Sequence, residues 1–354
     1  MKMNSITRRL VLYTLLGLLA CSRDRDGDQP GSARKPAPFD AGPVSIALIQ
    51  NSGAGDYFEQ WTDGARQQAA AAGLRVHFYD AKADPARQAS HMKAAIESGV
   101  KGIIVDHGLA GTMCPLLQQA TDAGIAVVVY DIEITECAPG AVETAQDDAD
   151  LATLVLTQMA RDLGDGIPVG YVNVPGIAPF DRRDVVWKKF VAEHKWVPKF
   201  FVGKFTHTVA SDNARLVDAA LKANPQVKAI FAAYDELAKG AISAIEERGL
   251  TTKVATYGID ISNADIELMR KKDSAWKATA TTDPSAVGAA VTRTLALQMA
   301  GQLGRKEVVF SGALVTQSFL RENQIKSMDD LRAKLPQLNL ANVSSASWLR
   351  SVTF

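Results

Sequence analysis

Residues 44–80 read VSIALIQNSGAGDYFEQWTDGARQQAAAAGLRVHFYD. Val44 to Gln50 is a short apolar run, and such a run bounded by turn residues predicts a buried strand. Ser52-Gly53-Ala54-Gly55 supplies the turn, and a helix is predicted from about Tyr57 to Ala72. Arg75 to Asp80 reads as the next strand. A strand, a crossover helix and a second strand are the unit of a parallel sheet covered on both faces.

Working outward, the rhythm continues. Asp84-Pro85 reads as an N-cap followed by proline at the first helical position, with Gly99 as the stop. Gly102–Val105 and Ala126–Tyr130 are two more predicted strands, with a helix between them that ends before Gly124. The pattern restarts near Asp148. Strands are predicted near Val169–Val174, 200–205, 228–232 and 254–258, with helices near 182–194, 211–223 and 236–248. A helix–strand–helix passage covers 263–302, and Val308–Thr316 reads as one last strand. Two successive α/β halves predict two doubly wound parallel-sheet lobes. Residues 318–354 are polar, with one short helix near 328–334, and read as a C-terminal extension lying on the body.

Composition narrows the function. Hydrophobic residues are 47% and charged residues 22%, values of an ordinary globular chain. Lys+Arg and Asp+Glu are both 39, so the basic surplus of a nucleic-acid binder is missing. No HExxH, CxxC, Gly-x-Ser-x-Gly or GxxxxGK[ST] pattern occurs, and no nucleophile–base pairing is visible, so no enzyme and no cofactor are expected. Asp106, His107 and Glu133 are a possible metal set, but the chain carries no metal-binding spacing, so no metal is expected.

In parallel sheets ligands bind outside the carboxyl ends of the strands. The residues there are Gly55, Asp56 and Tyr57; Asp106 and His107; Asp131, Ile132 and Glu133; the 175–183 loop; Tyr234 and Asp235; and Asp260. One Asp at such a place reads as a helix cap. Four of them point to a polar site.

These residues carry a resemblance. "ALIQNSGAGDYFEQWTDGARQQAAAAG", "VVVYD" ending at Asp131, Arg183 ahead of Trp187, "AIFAAYDELAKGAISAI", "TYGID" ending at Asp260 and "TDPSAVGAAV" occur in that order. Together they resemble the type I periplasmic solute-binding proteins, ribose- and galactose-binding branch, over roughly 44–317. The resemblance implies two lobes joined by a multi-strand hinge: 44–146 plus 283–312 as the N-terminal lobe, and 147–282 plus 313–317 as the C-terminal lobe. It implies Tyr57 and Phe58 for stacking, and Asp131, Arg183 and Asp260 for hydrogen bonds. Asp106, Tyr234, Asp235 and Thr282 are wall positions, and Trp61 reads as core. Carboxylates and Arg suit sugar hydroxyls, and aromatic rings suit the C–H faces.

The chain departs from the ribose pattern. Ile132 stands where the family often has Arg, Asp106 and Tyr234 where it has Asn, Ile259 where it has an aromatic, and Thr282 where it has Gln. Ribose itself is therefore not the expected ligand. Five carboxylates (Asp106, Asp131, Glu133, Asp235, Asp260) against Arg183 predict a negative cleft. The expected solute is small and polar, a neutral or cationic sugar, polyol or amino-bearing relative. Its expected recipient is an ABC-type permease; a receptor or kinase is the sensing alternative, and carriage of a larger apolar ligand is a third. Lactose-repressor-type transcription factors share such lobes, but a leader and tether stand where their DNA-binding domain would be. A monomer is expected.

Lys2, Arg8 and Arg9 precede an apolar run from Leu10 to Ala20, too short to cross a bilayer of ~30 Å but suited to a signal peptide over 1–20. The run ends Leu18-Leu19-Ala20-Cys21 and resembles a bacterial lipobox, in which Cys21 becomes the lipidated mature N-terminus. An ordinary signal peptide with a chance cysteine is the alternative. Thr7-Arg8-Arg9-Leu10 also resembles a twin-arginine signal. Residues 21–43, rich in Pro and Gly, read as a flexible tether. The expected location is the periplasm or cell surface, with the lipid as the only membrane contact. Cys114 and Cys137 remain, on neighbouring loops at the carboxyl edge of the first lobe, and export would pair them as a disulfide. Mass spectrometry of the native mature N-terminus should show diacylated Cys21; a chain beginning elsewhere with unmodified Cys21 would contradict the anchor.

Overall fold

The computed structural model describes residues 34–134, 136–305 and 307–354. The expected signal peptide and lipidation site, residues 1–21, lie outside the described residues. Each apolar run becomes a strand because its Val, Ile and Ala side chains can be buried on both faces of a sheet. The first sheet takes β1 (Val44–Gln50), β2 (Leu74–Asp80), β3 (Gly102–Asp106), β4 (Ala126–Tyr130) and β5 (Val142–Gln146). Helices α1 (Asp56–Ala72), α2 (Pro85–Glu97) and α3 (Ala110–Asp122) cross between the first four strands. The chain then runs through α4 (Asp148–Leu163), β6 (Pro168–Val172), α5 (Ala178–Glu193), β7 (Val197–Val202), α6 (Val209–Ala223), β8 (Ala229–Ala232) and α7 (Asp235–Glu247). It continues through β9 (Ala255–Ile259), α8 (Asn263–Arg270), β10 (Trp276–Thr281) and α9 (Pro284–Met299). It ends with β11 (Glu307–Phe310), β12 (Ala313–Thr316), α10 (Gln317–Glu322) and α11 (Met328–Lys334).

Two six-stranded sheets result, ordered β11-β5-β4-β3-β1-β2 and β12-β10-β9-β8-β6-β7. Every described pairing is parallel except β10 with β12. The chain passes from one sheet to the other after β5, after β10 and between β11 and β12. These passages bond to one another. Asp147 N donates to Phe310 O at 2.9 Å, and Thr282 Oγ1 donates to Gln146 Oε1 at 2.7 Å.

Four elements differ from the sequence expectation, one of them the short helix α10, which the polar 318–354 stretch did not show. β5, Val-Glu-Thr-Ala-Gln, was not foreseen, because its alternating polar residues resemble a loop. Val308–Thr316 is two strands, not one: β11 joins the first sheet and β12 the second, with Ser311-Gly312 between them. A Cβ at Gly312 would meet Thr281 O at 2.5 Å, so the strand must break where the passages crowd. α5 begins at Ala178, earlier than expected, which brings Phe180, Arg182 and Arg183 into its first turns.

α1 and α9 cross with their backbones nearly touching. A Cβ on Gly64 would lie 2.0 Å from Ser285 O, and one on Gly288 would lie 2.0 Å from Trp61 O. Glycine at both places locks α1, which carries Tyr57 and Phe58, to the helix that starts at a passage. The C-terminal extension lies on the body as expected, and the chain is packed from before residue 43. Phe39 is buried, with its ring 4.9 Å from that of Trp348, so the tether ends before residue 43. The extension docks through buried Arg293, which donates to Val343 O (3.0 Å), Leu340 O (2.6 Å) and Gln68 Oε1 (2.9 Å). Cys114 in α3 and Cys137 after β4 form a disulfide, with Cα atoms 5.6 Å apart. No described helix is long and apolar enough to cross a membrane.

Candidate functional site

Strands from both sheets end at one cavity of about 260 Å³. Asn51, Tyr57, Phe58, His107, Leu109 and Gln146 line it from the first lobe. Ile177, Phe180, Arg183, Phe205, Tyr234 and Asp260 line it from the second. Three strand-end residues, His107 (φ 56°), Asp131 (φ 56°) and Asp260 (φ 73°), are non-glycines in left-handed backbone. Such strain persists where surrounding structure over-determines it, and it clusters at functional sites.

The rings form an edge-on cage. Phe58 lies edge-to-face with Tyr57 at 5.6 Å and with His107 at 5.1 Å, and Phe180 is 5.9 Å from Tyr234. Tyr57 and Phe58, sequence neighbours, both reach the cavity. Tyr57 Oη is 2.5 Å from Tyr130 Oη, and Trp61 stacks on Tyr130 inside the core.

Behind the rings runs a chain of alternating charges. Asp106 Oδ1 holds His107 Nδ1 at 2.6 Å, and His107 Nε2 faces Asp131 Oδ2 at 3.7 Å. Arg182 crosses from the second lobe and donates to Asp131 Oδ1 at 2.7 Å. Its Nε donates to Asp148 Oδ2 at 2.7 Å, while Arg183 Nε donates to Asp148 Oδ1 at 2.8 Å. Arg183 Nη1 reaches Ala233 O at 2.5 Å and lies 3.5 Å from Asp260 Oδ2. Asp106 Oδ2, Asp131 Oδ2, Asp260 Oδ1 and Tyr234 Oη are buried and have no hydrogen-bond partner. Buried polar groups are normally paired, so Asp260 Oδ1 and Tyr234 Oη, both on the cavity wall, are open positions for a ligand, whereas Asp106 and Asp131 lie behind the wall.

Burial pushes the Asp131 carboxyl up to about 7; Asp148 adds to the rise, and His107, Arg182 and Arg183 oppose it. Burial pushes Asp260 up to about 6 against the pull of Arg183, with Asp148 adding to it. Gln146 moderates this without closing a hydrogen bond on Oδ1. Burial alone would lower His107, but Asp106 beside it, and then Asp131, outweigh burial and raise it.

The sequence-derived set divides. Tyr57, Phe58, Arg183, Tyr234 and Asp260 stand on the wall. Asp106, Asp131 and Thr282 stand directly behind it, bonded to His107, Arg182 and Gln146. Asp235 is corrected: as the first residue of α7 it accepts from Glu236 N at 2.8 Å and faces Lys239 and Asp265, outside the cavity. Glu133 is exposed and off the wall. With Asp235 and Glu133 removed and Asp148 and Arg182 added, four carboxylates (Asp106, Asp131, Asp148, Asp260) stand against the guanidiniums of Arg182 and Arg183, so the formal charge of the site stays negative. Asp148 and Arg182 were missed; Asp147-Asp148 reads as an ordinary helix start, and its partners lie more than thirty positions away. No group of three or more His, Cys, Asp or Glu among the described residues could hold a metal ion.

Residues 46–303 match the model of the periplasmic binding protein domain. The chain belongs to this family. It is of type I, in the ribose and sugar branch, and two parallel-sheet lobes are that family's fold. A 5-methylthioribose transporter solute-binding protein from Thermotoga lettingae, solved with 5-methylthioribose, is 34% identical with a TM-score of 0.84, covering 86% of this chain and 97% of that one. A sugar ABC transporter protein from Yersinia enterocolitica is 28% identical with a TM-score of 0.83, covering 87% and 93%. The ribose import binding protein of Bacillus subtilis is 25% identical over 287 residues, 80% of this chain and 89% of the relative.

The raised carboxyls have a consequence for stability. A carboxyl whose folded pKa lies above its unfolded value near 3.8 holds its proton more tightly when folded. Its stabilising contribution is full below 3.8 and is lost as pH rises through about 6 for Asp260 and about 7 for Asp131. The solute-free protein should lose more stability between pH 5 and 7.5 than Asp131→Asn does, read as thermal midpoints. Equal slopes in the two proteins would contradict this.

Proposed function

We propose that this chain is the extracytoplasmic solute-binding component of an ABC-type importer and that it takes a neutral sugar between its lobes. The observation that carries the reading is the partnerless Asp260 Oδ1 beside aromatic rings in a cavity shared by both lobes, with Asp131 directly behind the wall. Sugar hydroxyls donate to such oxygens, and the rings cover the sugar's apolar faces. Import binding proteins among the relatives favour uptake over sensing. A lipid at Cys21 would hold the protein at the membrane beside its permease, and it would act as a monomer.

The cavity suits a sugar with an apolar substituent better than a bare pentose. Leu109, Ile177, Pro179 and Phe205 supply apolar wall beyond the Arg183–Asp260 end. The Thermotoga relative holds a thioether-bearing ribose. The guanidinium N–H groups of Arg182 and Arg183 already serve Asp131, Asp148 and Ala233, which leaves an anion poorly served. Calorimetry should rank 5-methylthioribose above ribose, and ribose above ribose 5-phosphate and ribonic acid. Tightest binding by either acidic compound would contradict the reading.

A further inference from the structure

Outside the cavity, a second ionic contact joins the lobes. Asp56 opens α1 in the first lobe, and Lys239 lies on α7 in the second. Lys239 Nζ donates to Asp56 Oδ2 at 2.9 Å, and Ser262 Oγ reaches the same oxygen at 3.3 Å. Neither Asp56 nor Lys239 lines the solute cavity. The neighbouring backbone is fitted to the approach. Gly55 has φ 101°, and a Cβ there would meet Tyr234 Oη at 3.0 Å and Glu236 Cγ at 3.1 Å across the cleft. A side chain there would be strained by the positive φ and would crowd Tyr234 and Glu236 across the cleft.

The ammonium is held ready by its own lobe. Glu236 lies 2.5 Å from Lys239 Nζ, Asp265 3.6 Å and Asp235 3.9 Å. Asp235 and Asp265 are fully buried carboxyls that keep Lys239 in place. Lys239 is therefore ordered before the first lobe arrives, and pairing with Asp56 costs little side-chain entropy. Only Asp56 comes from the opposite lobe, so its bond exists only in the closed arrangement.

We propose that Asp56 and Lys239 form a clasp across the cleft, separate from the solute cavity, that fastens the closed lobes and slows solute release. This rests on the reading of the cavity as a solute site over which the lobes close. A contact absent from the open form acts on the dissociation rate and leaves association unchanged. Asp56 is 40% exposed and Lys239 14%, so salt weakens the clasp. Removing it should speed release roughly 1.5- to 5-fold, the range of a partly exposed ion pair.

The test is Asp56→Ala in the otherwise unchanged protein. Lys239→Met leaves Glu236, Asp235 and Asp265 without their cation and could fail to fold, so the half-exposed partner carries the experiment. With 5-methylthioribose or ribose as probe, stopped-flow should show faster dissociation, unchanged association and an unchanged melting midpoint of the sugar-free protein. Unchanged dissociation, or an equal loss of sugar-free stability, would overturn the clasp. If the wild type binds neither sugar, the reading of the cavity fails, and trapping of transient closures still decides the clasp. Glu59→Cys and Glu267→Cys are placed on exposed positions of α1 and α8 that face one surface pocket. With both, the sugar-free protein should crosslink faster at low salt than at 1 M salt, and adding Asp56→Ala should remove that difference. The same salt response in both would overturn it.

Discussion

The site is organised by one carboxylate with two claims on it. Asp148 is buried at the start of α4 and binds Arg182 through one oxygen and Arg183 through the other. Taking one partner from a buried ion pair costs about 3–5 kcal/mol, which bears on the buried Arg183; Arg182 is partly exposed and depends on Asp148 less. The two arginines then diverge. Arg183 turns along the cavity toward Asp260, and Arg182 turns across the gap to Asp131 in the other lobe. One residue thereby positions a ligand contact and a lobe-to-lobe contact together. The arginine missing at Ile132 has its charge supplied from the opposite lobe, where it also links the lobes.

Asp148 can hold this place because of the three passages between the sheets. It follows β5 directly, beside the bonds that tie Asp147 to Phe310 and Gln146 to Thr282. Gln146 lies on the cavity wall, so a passage residue also faces the ligand. The glycine contacts of α1 with α9 fix the aromatic pair Tyr57–Phe58 against the same passages. The extension adds restraint at this point: Arg332 on α11 grips Asp283, the cap of α9, at 2.6 Å. Met328 N bonds Asn263 in the second lobe, and Val352 N bonds Gln68 in the first.

The strand–helix rhythm was legible because buried parallel strands are apolar throughout, and Val44–Gln50, Gly102–Val105 and Ala126–Tyr130 have no other use. The strand-end rule then found Asp131, Tyr234 and Asp260. What it could not find were partners fixed by tertiary packing. Asp148 and Arg182 sit in helix starts whose local chemistry is unremarkable. Asp235 obeys the same strand-end rule but is drawn off by Lys239 one turn along its own helix. β5 hid because only one of its flanking strands pairs early in the chain, while the other, β11, arrives more than 160 residues later. The Val308–Thr316 run hid a change of sheet, which apolar character alone does not mark.

The buried oxygens without partners are the point on which the account stands. Asp260 is held by Arg183 on one oxygen and left open on the other, and Asp131 Oδ2 has only His107 Nε2 at 3.7 Å, a costly state unless something fills it. The measurement that tests this most directly is a crystal structure of the protein with a bound neutral sugar. The account predicts hydroxyls within hydrogen-bonding distance of Asp131 Oδ2 and Asp260 Oδ1, with the sugar's apolar face against Phe58 or Phe180. A sugar bound elsewhere, or one in the cavity that leaves both carboxylate oxygens unpaired, would contradict it.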